Sequence, residues 1–253
     1  MSGHSKWSTI KRKKGAEDAK RGKIFTRLAR EIVTAVRDGG GNMDPDSNPR
    51  LRLSVDRARA ANMPKDNIER AIKKGGGVGD DGVTFEEIVY EGYGPGGVAV
   101  IVEVVTDNRN RTLAEVKHAF NRANGSLATS GAVLWQFDQK GYIELNSEDA
   151  SFDDVFMVAA DAGAEDVIEE EGLIMVYTPR TDLHTVETAL VDGKYKVQES
   201  KLTWIPQNEV EVEATQAVQV MRLIERLEEL DDVDSVSSNL SLSAEAIAAF
   251  EQE

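Results

Sequence analysis

The chain has three histidines, His4, His118 and His184, and no cysteine. It therefore has no thiol nucleophile, no disulfide framework and no cysteine-ligated zinc or iron-sulfur centre. The histidines fall in three different segments. Glu115 and His118 have the E-x-x-H spacing of a carboxylate-bridged metal site. Such a site needs the motif twice and further acids on facing helices, and the sequence supplies neither, so His118 reads as an ordinary helix residue. Gly92, Gly94 and Gly97 formally satisfy G-x-G-x-x-G. A dinucleotide site needs those glycines to open a helix, whereas here they lead into "VAVIVEVV", a β-branched run that reads as a strand. There is no G-x-S-x-G elbow and no Walker-type phosphate loop. These residues predict no catalysis, no metal, no cofactor and no small-molecule substrate. The competing reading, an enzyme, would require a compact polar site assembled from distant residues.

The chemistry that the residues do offer is cationic. Ten of the first 30 residues are Lys or Arg: Lys6, Lys11, Arg12, Lys13, Lys14, Lys20, Arg21, Lys23, Arg27 and Arg30. Residues 1–77 carry 19 Lys/Arg against 9 Asp/Glu, and the remainder 11 against 36, which makes one end +10 and the rest -25 within a chain of net charge -15. Lys and Arg neutralise phosphates and release counterions. An acidic body repels the same polyanion and so restricts how it lies. The basic end predicts a nucleic-acid partner; an ordinary solvated surface with a tail is the alternative. Trp7, amid the basic arm, is either a base-stacking group or an anchor of the arm to the helices behind it.

The elements that must hold these charges can be read in order. In "KIFTRLAREIVTAVRDGGG", Ile24, Phe25, Leu28, Ile32, Val33 and Val36 recur at helical spacing, with Lys23, Arg27, Arg30 and Arg37 on the opposite side. Neutralising Arg27 and Arg30 together is on this reading expected to weaken nucleic-acid binding with little loss of folding. Asn48 followed by Pro49 starts a second helix, Pro64 a third, and glycines from Gly75 stop it. Residues 1–77 thus form a basic helical bundle with a flexible arm before Gly15. No helix-turn-helix, zinc finger or basic zipper is recognisable, so base-specific readout is not established.

After a linker at "GGGVGDDG" the pattern becomes mixed. "VTFEEIVYE" and "GVAVIVEVVT" read as strands joined by "GYGPGG". Thr112 and Glu115 form a T-x-x-E capping box for a helix that Gly125 stops. "AVLWQFD" reads as a strand. Strands at "GYIEL", "EDVIEE", "LIMVYT" and "YKVQESKLTW" with helices in "SFDDVFMVAADAG" and "TDLHTVETALVDG" give the order β-α-β-β-α-β of a ferredoxin-like unit. Its sheet lacks the basic, aromatic pattern of an RNA-recognition face. A strand in "NEVEVEA", the helix "AVQVMRLIERLEEL" and a strand near "VDSVSSNL" then complete the earlier sheet. The fold class is α+β, with an N-terminal helical bundle and two α/β domains, the last a ferredoxin-like unit inserted in the middle domain. The expected division is 1–77; 80–138 with 205–245; and 139–204.

Several stretches together carry a resemblance: "GHSKW", "KRGKIFTRLAREI", "NPRLR", "NMPKDNIERAI", "YEGYGPGGVAVIVE", "TDNRNRTLAEVKHAF", "GAEDV" and "MRLIERLEELDDV". They span nearly the whole chain and resemble the YebC family, which includes PmpR-type regulators and the mitochondrial translational activator of cytochrome oxidase subunit one. The resemblance implies three domains, no catalytic activity and a cytoplasmic location in bacteria. It also implies one of two roles: DNA-binding transcriptional regulation, or a ribosome-associated role on ribosomal RNA that supports synthesis through proline-rich stretches. The matching positions Lys6, Lys11, Lys20, Arg21, Lys23, Arg27 and Arg30 are the expected nucleic-acid contacts. Arg12, Lys13 and Lys14 extend them, and Arg109 and Arg111 are positive charges in an otherwise acidic body. No apolar run is long enough for a membrane span, no membrane partner is expected, and the residues do not fix an oligomeric state.

Overall fold

A computed structural model describes Trp7 and residues 17–77, 85–170 and 172–251. Among them are eight α-helices and two four-stranded antiparallel sheets, an α+β fold.

The helical unit consists of α1 (Glu17–Asp38), α2 (Pro49–Ala60) and α3 (Lys65–Gly75). Leu28, Ile32, Val33 and Val36 of α1 are buried against Leu51, Val55 and Ala58 of α2 and Ile68 and Ala71 of α3. Asn48 caps α2 as its sequence predicts, accepting from the Leu51 backbone N–H at 3.1 Å, with Pro49 at the first helical position. The chain leaves α1 through Gly40 and Gly41, both at positive φ, where side chains beyond glycine are strained.

The middle sheet has the order β3-β1-β2-β8, from β1 (Glu86–Tyr93), β2 (Ala99–Thr106), β3 (Ser126–Leu127) and β8 (Val233–Ser238). Helices α4 (Arg109–Arg122) and α7 (Ala214–Glu228) cover its core through Val116, Phe120, Val220, Leu223 and Leu227. Between β3 and α7 the chain builds the second sheet, ordered β5-β6-β4-β7. Its elements run β4 (Phe137–Asn146), α5 (Phe152–Asp161), β5 (Asp166–Glu170), β6 (Leu173–Pro179), α6 (Leu183–Asp192) and β7 (Val197–Pro206). This is the ferredoxin-like unit, inserted in the middle domain. Glu91 fixes its entry: its buried carboxylate accepts from the backbone N–H groups of Gly131, Val133 and Leu134. Burial alone would raise its pKa, but these backbone donors outweigh it and hold the carboxyl below its ordinary value.

Four local expectations need correction. Helix α4 begins at Arg109 with Asn108 as its cap, not at Thr112, because the Asn108 side chain reaches the Arg111 N–H at 3.1 Å and Thr112 turns inward. "AVLWQFD" holds a 3-10 turn at Leu134–Gln136, and the strand starts only at Phe137. "NEVEVEA" makes a single parallel bridge, Val210 with Leu240, rather than a strand, although its exposure alternates as in one, with Glu209, Glu211 and Glu213 exposed and Val210 and Val212 half-buried. Beyond β8 a further helix, α8 (Ala244–Glu251), packs Phe250 into the middle core.

Phe250 also receives Trp7. The two ring centroids lie 5.6 Å apart, tilted by 58°, and Trp7 is 8% exposed within the middle-domain core. Trp7 itself is therefore held by the middle domain, and its buried indole is not available to stack on a base. Trp7→Ala should cost about 3 kcal/mol, as large aromatic truncations in cores do, and release the start of the arm. Thermal unfolding together with limited proteolysis ahead of α1 tests this; an unchanged melting temperature and cleavage rate would show that the docking contributes nothing.

Candidate nucleic-acid interface

The expected cations fall into three groups. Lys6, Lys11, Arg12, Lys13 and Lys14 lie outside the described residues. Lys20, Arg21 and Lys23 lie on the first turns of α1. Arg27, Arg30, Arg109 and Arg111 have described surroundings, and three of these four are engaged inside the molecule.

Arg30 Nη1 donates to Asp232 Oδ1 at 2.8 Å and to the Asp231 carbonyl at 2.7 Å. Arg111 Nη2 donates to Asp232 Oδ2 at 2.6 Å and to Asp107 at 2.9 Å. Thr106 and Thr112 hydroxyls donate to the same Asp232 Oδ2 at 2.9 and 2.6 Å. Asp232 is thus a buried carboxylate that collects α1, β2 and α4 at the start of β8. Its burial would raise the pKa, yet the donors Arg111, Thr112 and Thr106 and the charge of Arg30 hold it below the ordinary value. Arg27 Nε lies 3.5 Å from Asp234 and 4.0 Å from Glu31. Polar-face position on a helical wheel therefore did not mean free: neutralising Arg27 and Arg30 removes ion pairs between the helical unit and the start of β8, which weighs against the expected little loss of folding. Arg109 is exposed.

These contacts give "DNRNR" and the acidic end of "MRLIERLEELDDV" a structural reason: one caps α4 and the other receives arginines from two units. "GYGPGG" is likewise loop geometry. Gly94 N–H donates to Val98 O at 2.8 Å, Gly96 and Gly97 have φ of 71° and 77°, and a Cβ on Gly96 would lie 2.6 Å from Val212.

Beside Arg27, the buried Glu31 and the half-buried Asp234 form a carboxyl pair. Arg57 of α2 donates to Glu31 Oε2 at 2.7 Å. Glu31 Oε1 and Asp234 Oδ1 have no other donor among the described residues, and one shared proton satisfies both. Burial pushes the Glu31 pKa up to about 8, with the Asp234 charge adding to it against Arg57 and Arg27. Asp234 is held below its ordinary value, because the Glu31 hydrogen bond and the Arg57 and Arg27 charges outweigh its burial. Between the ordinary carboxyl value of 4.5 and about 8 the folded state holds more protons than the unfolded one, so stability falls as pH rises through this window and levels off above it. The slope is at most about 1.4 kcal/mol per pH unit. Glu31→Gln should flatten urea-unfolding stability across that window; a slope equal to wild type would refute the shared proton. The carboxylates with lowered values act separately, losing their contribution only as pH falls below about 4.

A cleft of about 620 Å³ opens where the three units meet. Glu31, Arg57, Glu103, Asp234, Arg180 and His184 line it, so its walls mix both signs. Arg52 of α2 lies 3.0 Å from His184 Nε2 of the inserted unit. Among the described residues no cluster of three or more His, Asp or Glu is placed to hold a metal ion.

Sequence reasoning passed over the last turns of α3. Arg70 and Lys73 are exposed there, and neither has an ion pair among the described residues. With Lys74 they follow one another at i, i+3 and i+4, a spacing that puts neighbouring side chains together. The pattern was visible in "ERAIKKGGG", but the denser N-terminal run overshadowed it.

Two family models match nearly the entire chain: the TACO1/YebC protein N-terminal domain over residues 5–78, and the TACO1/YebC second and third domain over residues 85–240. The chain belongs to the TACO1/YebC family. A relative from Trichlorobacter lovleyi, named a probable transcriptional regulatory protein, is 57% identical over 217 residues, covering 86% of each chain. One of the same name from Acidithiobacillus ferrooxidans is 53% identical over 251 residues, 99% of each. The crystal structure of a conserved hypothetical protein from Aquifex aeolicus superposes with a TM-score of 0.84 at 44% identity, over 89% of this chain and 92% of that one. The TACO1/YebC architecture thus extends to this chain.

Proposed function

We propose that this TACO1/YebC member is a non-enzymatic, cytoplasmic regulator of gene expression that binds nucleic acid through its basic helical unit, as a DNA-binding transcriptional regulator. The observation that carries this reading is the segregation of charge, +10 over residues 1–77 against -25 beyond. It is supported by the exposed Arg70 and Lys73 on the same unit and by the regulatory names of the relatives. The contacts are Lys11 to Lys14, Lys6, Lys20, Arg21 and Lys23, joined by the α3 cations. Arg27 and Arg30 position the unit on the acidic body, Arg111 holds Asp232 from α4, and Arg109 is exposed on α4. No described helix is long and apolar enough to cross a membrane.

The second reading is a translation factor on ribosomal RNA. Phosphate neutralisation serves it equally, since that term is independent of sequence. Titrating the full chain against duplex DNA and against a ribosomal RNA fragment, at salt from about 50 to 200 mM, tests the shared claim. With six or more phosphates contacted, affinity should fall about a thousandfold across that range. Absence of binding to either polymer at the low end would sink both readings, whereas tighter binding to one at equal salt chooses between them.

A further inference from the structure

A surface hollow of about 450 Å³ lies between α1 and α3, closed on one side by Phe85 just ahead of β1. Val33, Met63 and Ala71 are buried at its base, and Phe85 is half-buried against the helical core. Arg30, Arg70 and Lys74 border it, and none of its lining residues is acidic. The Arg30 guanidinium carbon and Lys74 Nζ lie 5.7 and 5.8 Å from the Phe85 ring centroid. The ring thus lies over an apolar base on the basic end of the chain with no acidic residue in the lining; Arg30 is already paired with Asp232, which leaves Arg70 and Lys74 as the cations to meet a ligand.

That combination selects its ligand. A bare phosphate needs the cations but not the apolar base. An apolar side chain needs the base but not the cations Arg70 and Lys74. A flat aromatic ring with a phosphate attached uses both, stacking on Phe85 while Arg70 and Lys74 hold the anion. Bases within a duplex are stacked and turned inward, so the ring must come from a single strand or loop. We propose that this hollow binds an unstacked nucleobase of a single-stranded nucleic-acid segment, with its flanking phosphates on Arg70 and Lys74. The Asn67 side chain borders the same hollow and can pair with a base edge.

The inference rests on the nucleic-acid reading above but narrows it, and its test separates the two. The full chain is titrated with a labelled single-stranded RNA and DNA oligonucleotide of mixed sequence, and with the same strands carrying abasic sites. Wild type should prefer the intact strand about tenfold, the scale of one stacked base. Phe85→Leu keeps an apolar side chain without the ring and should erase that preference with the salt dependence unchanged. Arg70→Gln with Lys74→Gln should instead lower the salt slope by about 1.4, two single-strand contacts. Equal binding of intact and abasic strands by wild type overturns the pocket without needing any variant to fold. So does a preference that survives Phe85→Leu. Binding to duplex alone removes the pocket and leaves the proposed function standing; binding to no nucleic acid removes both.

Discussion

Replacing Lys11, Arg12, Lys13 and Lys14 together by glutamine is expected to weaken nucleic-acid binding about four-thousandfold at about 0.1 M salt and to lower the salt slope by about 3.6. Each phosphate contact contributes about 0.9 to the slope on duplex DNA, hence about eightfold at that salt, and four contacts multiply. These four are consecutive, and no acid occurs among residues 1–16 to pair with them. A thermal melt of the same variant separates loss of binding from loss of fold. Competition titrations at several salt concentrations check this, and an unaltered slope would remove the run from the interface.

Asp232→Asn is expected to destabilise the fold by about 3 kcal/mol, the scale on which removing one partner of a buried ion pair leaves the others uncompensated. Asp232 is 3% exposed and accepts from Arg30, Arg111, Thr106 and Thr112. An amide keeps the shape but puts a second set of donors against two guanidinium groups. For a chain of this size that corresponds to a melting temperature about 6–12 °C lower. Because Asp232 links α1 to the middle sheet, undocking of the helical unit can precede global unfolding, so a transition that separates into two steps also agrees. A melting curve within 1 °C of wild type, on the order of 0.3 kcal/mol, would show that the four donors find equal partners elsewhere.

Much of the architecture was legible because local and global signals agree. Asn48 with Pro49 gave the start of α2, and the order of short apolar runs from 139 to 204 gave a ferredoxin-like unit whose sheet order matches. The discontinuous middle sheet followed from strands at each end of the chain that had no other partner. What was not legible depended on tertiary contacts. Thr112 looks like a cap, but its hydroxyl turns to Asp232, and Asn108 takes the capping role. The Glu209, Glu211, Glu213 alternation fits a strand, yet only Val210 finds a backbone partner. For the candidate site, charge sign was readable and charge availability was not. Arg27 and Arg30 lie on a polar helix face that the fold then covers with Asp232 and Asp234, 202 and 207 positions away from Arg30 and Arg27 in the chain. Trp7 sits in a polar stretch, and nothing local indicates that Phe250 receives it. Phe85 looked like part of the strand "VTFEEIVYE", which in fact starts at Glu86; only the packing of α1 on α3 places Arg30 and Lys74 over its ring.

The central claim is that nucleic acid is held by the basic helical unit. Crosslinking in growing cells, followed by sequencing of the attached DNA and RNA and mapping of the crosslinked peptides, tests it most directly. Crosslinks should map to residues 1–77, fall sharply in the Lys11 to Lys14 glutamine variant, and concentrate either at promoters or at discrete ribosomal RNA positions. Crosslinks that persist in that variant and map to residues 137–206 would contradict it, as would the absence of any attached nucleic acid.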